Sequence, residues 1–214
     1  RRRKVGVDFA QSKNVLGSFH PPSLVLTDPE TLSTLPLKEY TSGLAEIVKH
    51  GIIADEELFS ALRPEVLPLS RDLLQRALAV KLDIVQRDPF ERGERAILNM
   101  GHTIGHGIEA ASGYALRHGE AISIGMVAET RLSELIGLAE EGLGDKVAEK
   151  LQTLDLPTTC QGLRPEDIHK AMLRDKKKRR GQLTFALPTY IGRVEYGVTV
   201  EEALLHQVIA AATK

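Results

Sequence analysis

The residues best suited to chemistry lie in Glu91–Glu109, read ERGERAILNMGHTIGHGIE. Placed on one helix at about 100° per residue, Glu91, Arg95, Asn99, His102, His106 and Glu109 fall within an arc of roughly 80°. The other faces carry Ile97, Leu98, Met100, Ile104 and Ile108. His102 and His106, spaced i, i+4, point the same way and can share a metal, a proton or an anion. Gly101, Gly105 and Gly107 each cost about 1 kcal/mol in a helix interior relative to Ala. That cost implies an element packed very close to this backbone. A solvated polar face is the plainer reading, but three glycines beside two histidines argue for a site.

Three further clusters carry ionisable groups. Glu46 and Lys49 share a helix face at i, i+3, with apolar Leu44, Ile47 and Val48 beside them. His118 precedes Gly119-Glu120 at the start of a broadly apolar helix. There the positive dipole end disfavours the charged imidazole and leaves a neutral ligand. Glu46, His102 and His118 together would make a two-histidine, one-carboxylate zinc site with an open position, the composition of a catalytic centre. The sequence alone does not bring them together. Lys81 and the run Asp175–Arg180 add cations, and a charge run of this kind is ordinarily solvated. His20, His50, His169 and His206 join no constellation and are expected at surface or satisfied core positions. Cys160 reads as structural, not nucleophilic.

Helices must position these groups. Apolar periodicity predicts two helical segments over Leu37–Arg63, with Gly51 and Asp55 as breaks, and a helix opening at Ser70. The glycine-rich stretch follows as the central helix, ending at Gly113-Tyr114. A helix buried on most sides runs from His118 to Leu135. Helices over Asp145–Leu154, Pro165–Leu173 and Glu201–Ala212 complete the set. Gln182–Leu187 and Arg193–Tyr196 read as a hairpin. Val5–Phe9 is a short strand or loop, and Gln11–Asn14 reads as a turn. Leu24–Thr27, between Pro22 and Pro29, reads as a buried strand that needs a sheet this chain barely supplies. The expected fold class is mainly α, with an N-terminal strand remnant and a late β-hairpin.

Composition excludes several classes. The chain has 214 residues, 42% hydrophobic and 27% charged, with a net charge of −1. Neither nucleic acid nor a membrane surface is favoured by that balance. No apolar run is long enough to span a bilayer, and no signal peptide is recognisable. A single cysteine excludes an intrachain disulfide framework, and a reducing cytoplasm is the simplest location.

The ordered set Lys13-Asn14, GLAEIVK at 43–49, Lys81, Glu91 with Arg95, LNMGHTIGH at 98–106, His118-Gly119-Glu120 and Arg174–Lys177 resembles 3-dehydroquinate synthase, of the sugar phosphate cyclase group. The resemblance runs over nearly the whole chain. It implies conversion of 3-deoxy-D-arabino-heptulosonate 7-phosphate to 3-dehydroquinate with phosphate release, in the shikimate route to aromatic amino acids. It implies NAD and a divalent metal, zinc or cobalt, as cofactors, and a homodimer for the full-length enzyme. Glu46, His102 and His118 would be the metal ligands, and His106 would handle a proton near the phosphate. Lys49, Lys81, Arg95 and Asn99 match substrate-binding positions. Lys4, Lys13 and Asn14 match positions close to substrate or nucleotide, and Lys176 and Lys177 lie where one lysine should reach the substrate. Residues 1–35 would be a remnant of a nucleotide-binding α/β domain, and 36–214 the helical metal- and substrate-binding domain.

The sequence departs from the family where Arg2-Arg3 replace a Gly-Gly pair and Asp8 replaces a common Asn. The family's glycine-rich phosphate loop would lie before Arg1. The isolated chain is therefore expected to bind NAD poorly and to show weak or no catalysis. Three rival readings remain. One is another cyclase, forming 2-deoxy-scyllo-inosose or a valiolone. A second is a metal-dependent alcohol dehydrogenase with a similar helical domain. The third is a non-catalytic metal-binding or oligomerisation module.

Overall fold

The computed structural model describes residues 4–9, 12–19, 22–64, 68–179 and 183–214, with side chains over 22–64, 68–174 and 183–214. The chain is mainly α, with two separate two-stranded antiparallel sheets. Strands β1 (Lys4–Phe9) and β2 (Ser12–Phe19) pair first. Six helices follow: α1 (Leu37–Ala54), α2 (Glu56–Ala61), α3 (Arg71–Arg87), α4 (His102–Ala111), α5 (His118–Leu135) and α6 (Leu143–Thr153). Helix α7 (Pro165–Arg179) leads to the hairpin β3 (Phe185–Tyr190) and β4 (Arg193–Val198), and α8 (Glu202–Ala212) closes the chain.

Local chemistry sets several boundaries. Asp55 ends α1, and its carboxylate then accepts from Leu58 N at 2.9 Å to start α2. The Ser70 hydroxyl accepts from Leu73 N at 3.3 Å and caps α3. Glu120 reaches back to Arg117 N at 2.8 Å and fixes the start of α5 at His118.

Helix α5 is the centre of the fold. Ile122 and Met126 pack with Leu44, Val48 and Ile52 of α1. Ile124, Ala128 and Leu132 pack with Ile104 and Ile108 of α4, Ile168 of α7, Phe185 of β3 and Leu205 and Val208 of α8. One helix thus joins both hydrophobic clusters, as its breadth of apolar residues predicted.

The structure corrects four expectations. The stripe Glu91–Glu109 is not one helix. A short 3-10 segment, Glu94–Asn99, stops at Met100, and Gly101 takes the left-handed conformation (φ 77°) before α4 begins. Helix α4 is also not the organising element, since α5 lies between the two clusters. Leu24–Thr27 forms no strand, and Leu24 and Leu26 are exposed, because no strand among the described residues pairs with it. Ser12–Asn14 belongs to β2 and not to a turn, since pairing with β1 extends that far.

The expectation that something approaches the glycines closely is met at all three positions. A Cβ on Gly105 would lie 3.0 Å from the Ala121 carbonyl, one on Gly101 3.1 Å from the Ile122 carbonyl, and one on Gly107 3.1 Å from the Ile168 carbonyl. Gly101 and Gly105 thus let α4 touch α5 backbone to backbone, and Gly107 does the same toward α7.

Candidate metal centre

Three elements bring Glu46, His102 and His118 together. Glu46 lies mid-way along α1, His102 is the first residue of α4, and His118 the first of α5. Glu46 Oε1 lies 3.3 Å from His102 Nε2 and 3.6 Å from His118 Nε2. Bonds of about 2.0–2.2 Å to a tetrahedral zinc put ligand atoms about 3.4 Å apart, so both edges that run to Glu46 are close to those of such an ion.

The ring orientations fit as well. His102 Nδ1 donates to the Met100 carbonyl at 3.1 Å, and His118 Nδ1 pairs with Glu109 Oε2 at 3.3 Å. Both rings therefore direct Nε2 toward Glu46, which is how ligand histidines are ordinarily oriented by their outer partners. Glu109 is buried, and its carboxylate steadies His118 from the last turn of α4.

His106 stands one turn beyond His102, with ring centroids 5.2 Å from His102 and 5.7 Å from His118. Nitrogens of all three histidines lie within 4.8 Å of one another, so a three-histidine set is also geometrically open. Glu46 Oε1 is the other candidate third donor, lying near the zinc edge length from both His102 and His118.

The charges are interlocked. Burial would raise the Glu46 pKa, but the Lys49 ammonium at 2.6 Å and the bonds to His102 and His118 outweigh it and hold the carboxyl well below its usual range. Burial and Lys49 lower the pKa of His102. His118 moves the other way, up to about 9, through Glu109 first and Glu46 second. The expectation of a neutral His118 at a helix N-terminus is therefore corrected. The two carboxylate partners of His118 outweigh the burial that would lower its pKa. A metal arriving at this ring displaces a proton.

The remaining site residues divide. Lys49 is buried beside Glu46. Lys81 is half-buried on α3 and is felt electrostatically at His50. Arg95 and Asn99 sit in the 3-10 segment, across the Gly101 break from the histidines. Arg95 is buried and donates to the Pro89 carbonyl at 3.1 Å. The side chains of Lys4, Lys13, Asn14, Lys176 and Lys177 lie outside the described residues.

Sequence reading missed two supporting residues and misjudged a third buried group. Glu129 is fully buried, and its two oxygens accept from Gly101 N at 2.6 Å and Ile104 N at 2.9 Å, which caps α4 next to His102. Burial pushes its pKa up to about 8, against the pull of those N–H groups. An acid on an otherwise apolar helix was the available signal. Asp88 accepts from the backbone N–H of Arg92 and Gly93, both at 2.9 Å, and of Arg95 at 3.1 Å, and so folds the segment that carries Arg95. His50 was expected to be satisfied or exposed. It is buried with neither ring nitrogen hydrogen-bonded, and burial lowers its pKa to about 4. Cys160 is buried, its thiol raised to about 11, in keeping with a structural role.

In fold the chain is similar to sugar phosphate cyclases. A 2-epi-5-epi-valiolone synthase from Streptomyces hygroscopicus, solved with NAD+ and Zn2+ bound, superposes with a TM-score of 0.88 at 30% identity, over 99% of this chain and 61% of that one. A 2-deoxy-scyllo-inosose synthase shares the fold at a TM-score of 0.85 and 24% identity, over 99% of this chain and 62% of that one. By sequence, residues 43–178 match the 3-dehydroquinate synthase C-terminal family and residues 3–42 the N-terminal one. The chain belongs to the 3-dehydroquinate synthase family. Among its relatives are the 3-dehydroquinate synthases of Synechocystis sp., 42% identical over 97% of this chain, and Symbiobacterium thermophilum, 44% identical over 89%. The chain spans 60% and 56% of their respective lengths.

Proposed function

We propose that the protein is a 3-dehydroquinate synthase, a phosphate-eliminating lyase that converts 3-deoxy-D-arabino-heptulosonate 7-phosphate to 3-dehydroquinate with NAD and a divalent metal, zinc or cobalt. The observation that carries the metal assignment is the single Glu46 oxygen poised between two Nε2 atoms whose rings are held from behind. Sequence similarity to curated 3-dehydroquinate synthases supports the substrate. The cyclase solved with NAD+ and Zn2+ supports the cofactors.

Glu46, His102 and His118 would hold the metal. When bound, the metal supplies Lewis acidity toward a substrate hydroxyl, and NAD a transient hydride acceptor. Lys49 places a buried cation beside the centre, where it neutralises Glu46 and attracts the substrate's anionic groups. Arg95, Asn99 and Lys81, with one of Lys176 and Lys177, bind the carboxylate and phosphate of the substrate. His106, one turn along the same helix face as His102, carries the proton lost as phosphate leaves. Lys4, Lys13 and Asn14 serve the nucleotide and substrate from residues 1–35, part of a nucleotide-binding domain, while 36–214 form the metal- and substrate-binding domain. The setting is the cytoplasm and the working form a homodimer.

Product identity is the test. The protein supplied with the heptulosonate phosphate, NAD+ and zinc is expected to yield phosphate and 3-dehydroquinate as its products, at the low rate of a chain that binds NAD poorly. A second reading, a valiolone-type cyclase, is favoured by the likeness in fold and takes its place if turnover requires a different sugar phosphate.

A further inference from the structure

His169 and His206, read from sequence as joining no constellation, meet Glu202 in the fold. His169 lies on α7, and Glu202 and His206 are i, i+4 on α8. Glu202 Oε1 is 3.7 Å from the Nε2 of each histidine, and the rings sit 4.4 Å apart, tilted by 60°. At 3.7 Å the carboxylate is too far to be hydrogen-bonded to either ring, yet it is equidistant from both. A nitrogen from each histidine and a Glu202 oxygen all lie within 4.8 Å of one another.

We propose that these three side chains form a second divalent-metal site, separate from the centre at Glu46. Two imidazoles and one carboxylate suit zinc, and also nickel, cobalt or copper, and not the oxygen-seeking magnesium or calcium. A tetrahedral ion wants ligand atoms about 3.4 Å apart, so each Glu202 edge must close by about 0.3 Å and the two histidine nitrogens, within 4.8 Å of one another, must draw in to the same spacing. Glu202 is exposed and His206 partly so, which leaves both room to make that adjustment, whereas His169 is nearly buried and supplies the fixed donor. The fourth position faces solvent and takes water.

The ion would clip the closing helix to α7. Helix α7 packs against Gly107 of α4 through Ile168 and Met172, next to His169. The clip therefore steadies the far side of the helix that carries His102 and His106. It binds independently of the catalytic reading.

The test uses the chain stripped of metal with chelator and titrated with Zn2+ alone, followed by calorimetry and elemental analysis. Wild type is expected to take two equivalents. His206→Ala and Glu202→Gln each lose one, as does His102→Ala, and the His102→Ala/His206→Ala double variant retains none. In the His102→Ala background, Zn2+ should still raise the melting temperature, and adding His206→Ala should abolish that rise. A single equivalent in wild type that His102→Ala removes overturns the proposal. So does a second equivalent that survives both His206→Ala and Glu202→Gln.

Discussion

Gly125→Ala tests how the helix crossing shapes the metal centre. Gly125 lies on α5 against the start of α4. A Cβ there would fall 2.7 Å from Gly105 N and 3.0 Å from Gly105 Cα, and closer still to the Gly101 carbonyl oxygen. These are backbone atoms and cannot rotate away. Ordinary contact between heavy atoms is about 3.5–4.0 Å, so α4 and α5 must part by about 1 Å. Overpacking of this kind costs about 1–3 kcal/mol. For a chain of this size each kcal/mol lowers the melting temperature by about 2–4 °C, so the expected fall is about 2–12 °C. The same displacement separates His102 on α4 from His118 on α5, while ligand distances tolerate only about 0.2 Å. Zinc affinity, measured by competition with a chromophoric chelator, should fall by at least about tenfold. Gly43→Ala is the control, since a Cβ at Gly43 in α1 meets nothing within 4 Å. That change should leave stability unaltered or raise it by about 0.5–1 kcal/mol. A Gly125→Ala chain with wild-type zinc affinity and melting temperature would refute the reasoning.

Other perturbations give separate readouts. Glu129→Ala leaves the N–H groups of Gly101 and Ile104 buried without partners and should cost about 2–6 kcal/mol in urea unfolding, at about 1–3 per orphaned donor. Because Glu129 rises from 4.5 to about 8 on folding, the native chain holds a proton that the unfolded chain has lost between those values. Stability should therefore decline as pH rises through that window, and Glu129→Ala should flatten the decline. Zinc must displace the His118 proton, held up to about 9, so zinc affinity should climb about tenfold per pH unit from neutrality toward pH 9. An affinity flat over that range contradicts the placement of His118 among the ligands. Lys49→Met removes the cation beside Glu46 and should cost about 2 kcal/mol, discounted from a fully buried pair because Glu46 is partly exposed. The same change should raise KM for the anionic substrate more than it lowers kcat.

Much of the helical fold could be read from periodicity and caps. Ser70, Asp55 and the His118 start each announce themselves through a local hydrogen bond within a few residues. The breadth of apolar positions on α5 also predicted its burial correctly. What the sequence could not show were events decided by distant backbone. Gly101 breaks the polar stripe because Glu129, on another helix, caps α4 at that point. Leu24–Thr27 has strand composition, but strand formation needs a neighbour to supply hydrogen bonds. Within the site, residue types at motif spacing offered Glu46, His102 and His118 as a candidate set, and the fold does bring these three side chains together. Glu109 was visible on the polar stripe but without its partner His118, and Glu129 stayed hidden, because both roles depend on which helices cross. The pairing of His169 with His206 across α7 and α8 was invisible for the same reason.

The most direct measurement is anomalous diffraction at the zinc edge from crystals of the chain grown with Zn2+. The strongest peak should lie between Glu46 Oε1, His102 Nε2 and His118 Nε2, with His106 outside bonding distance. A peak coordinated by His102, His106 and His118 without Glu46, or no peak among these residues, would contradict the account.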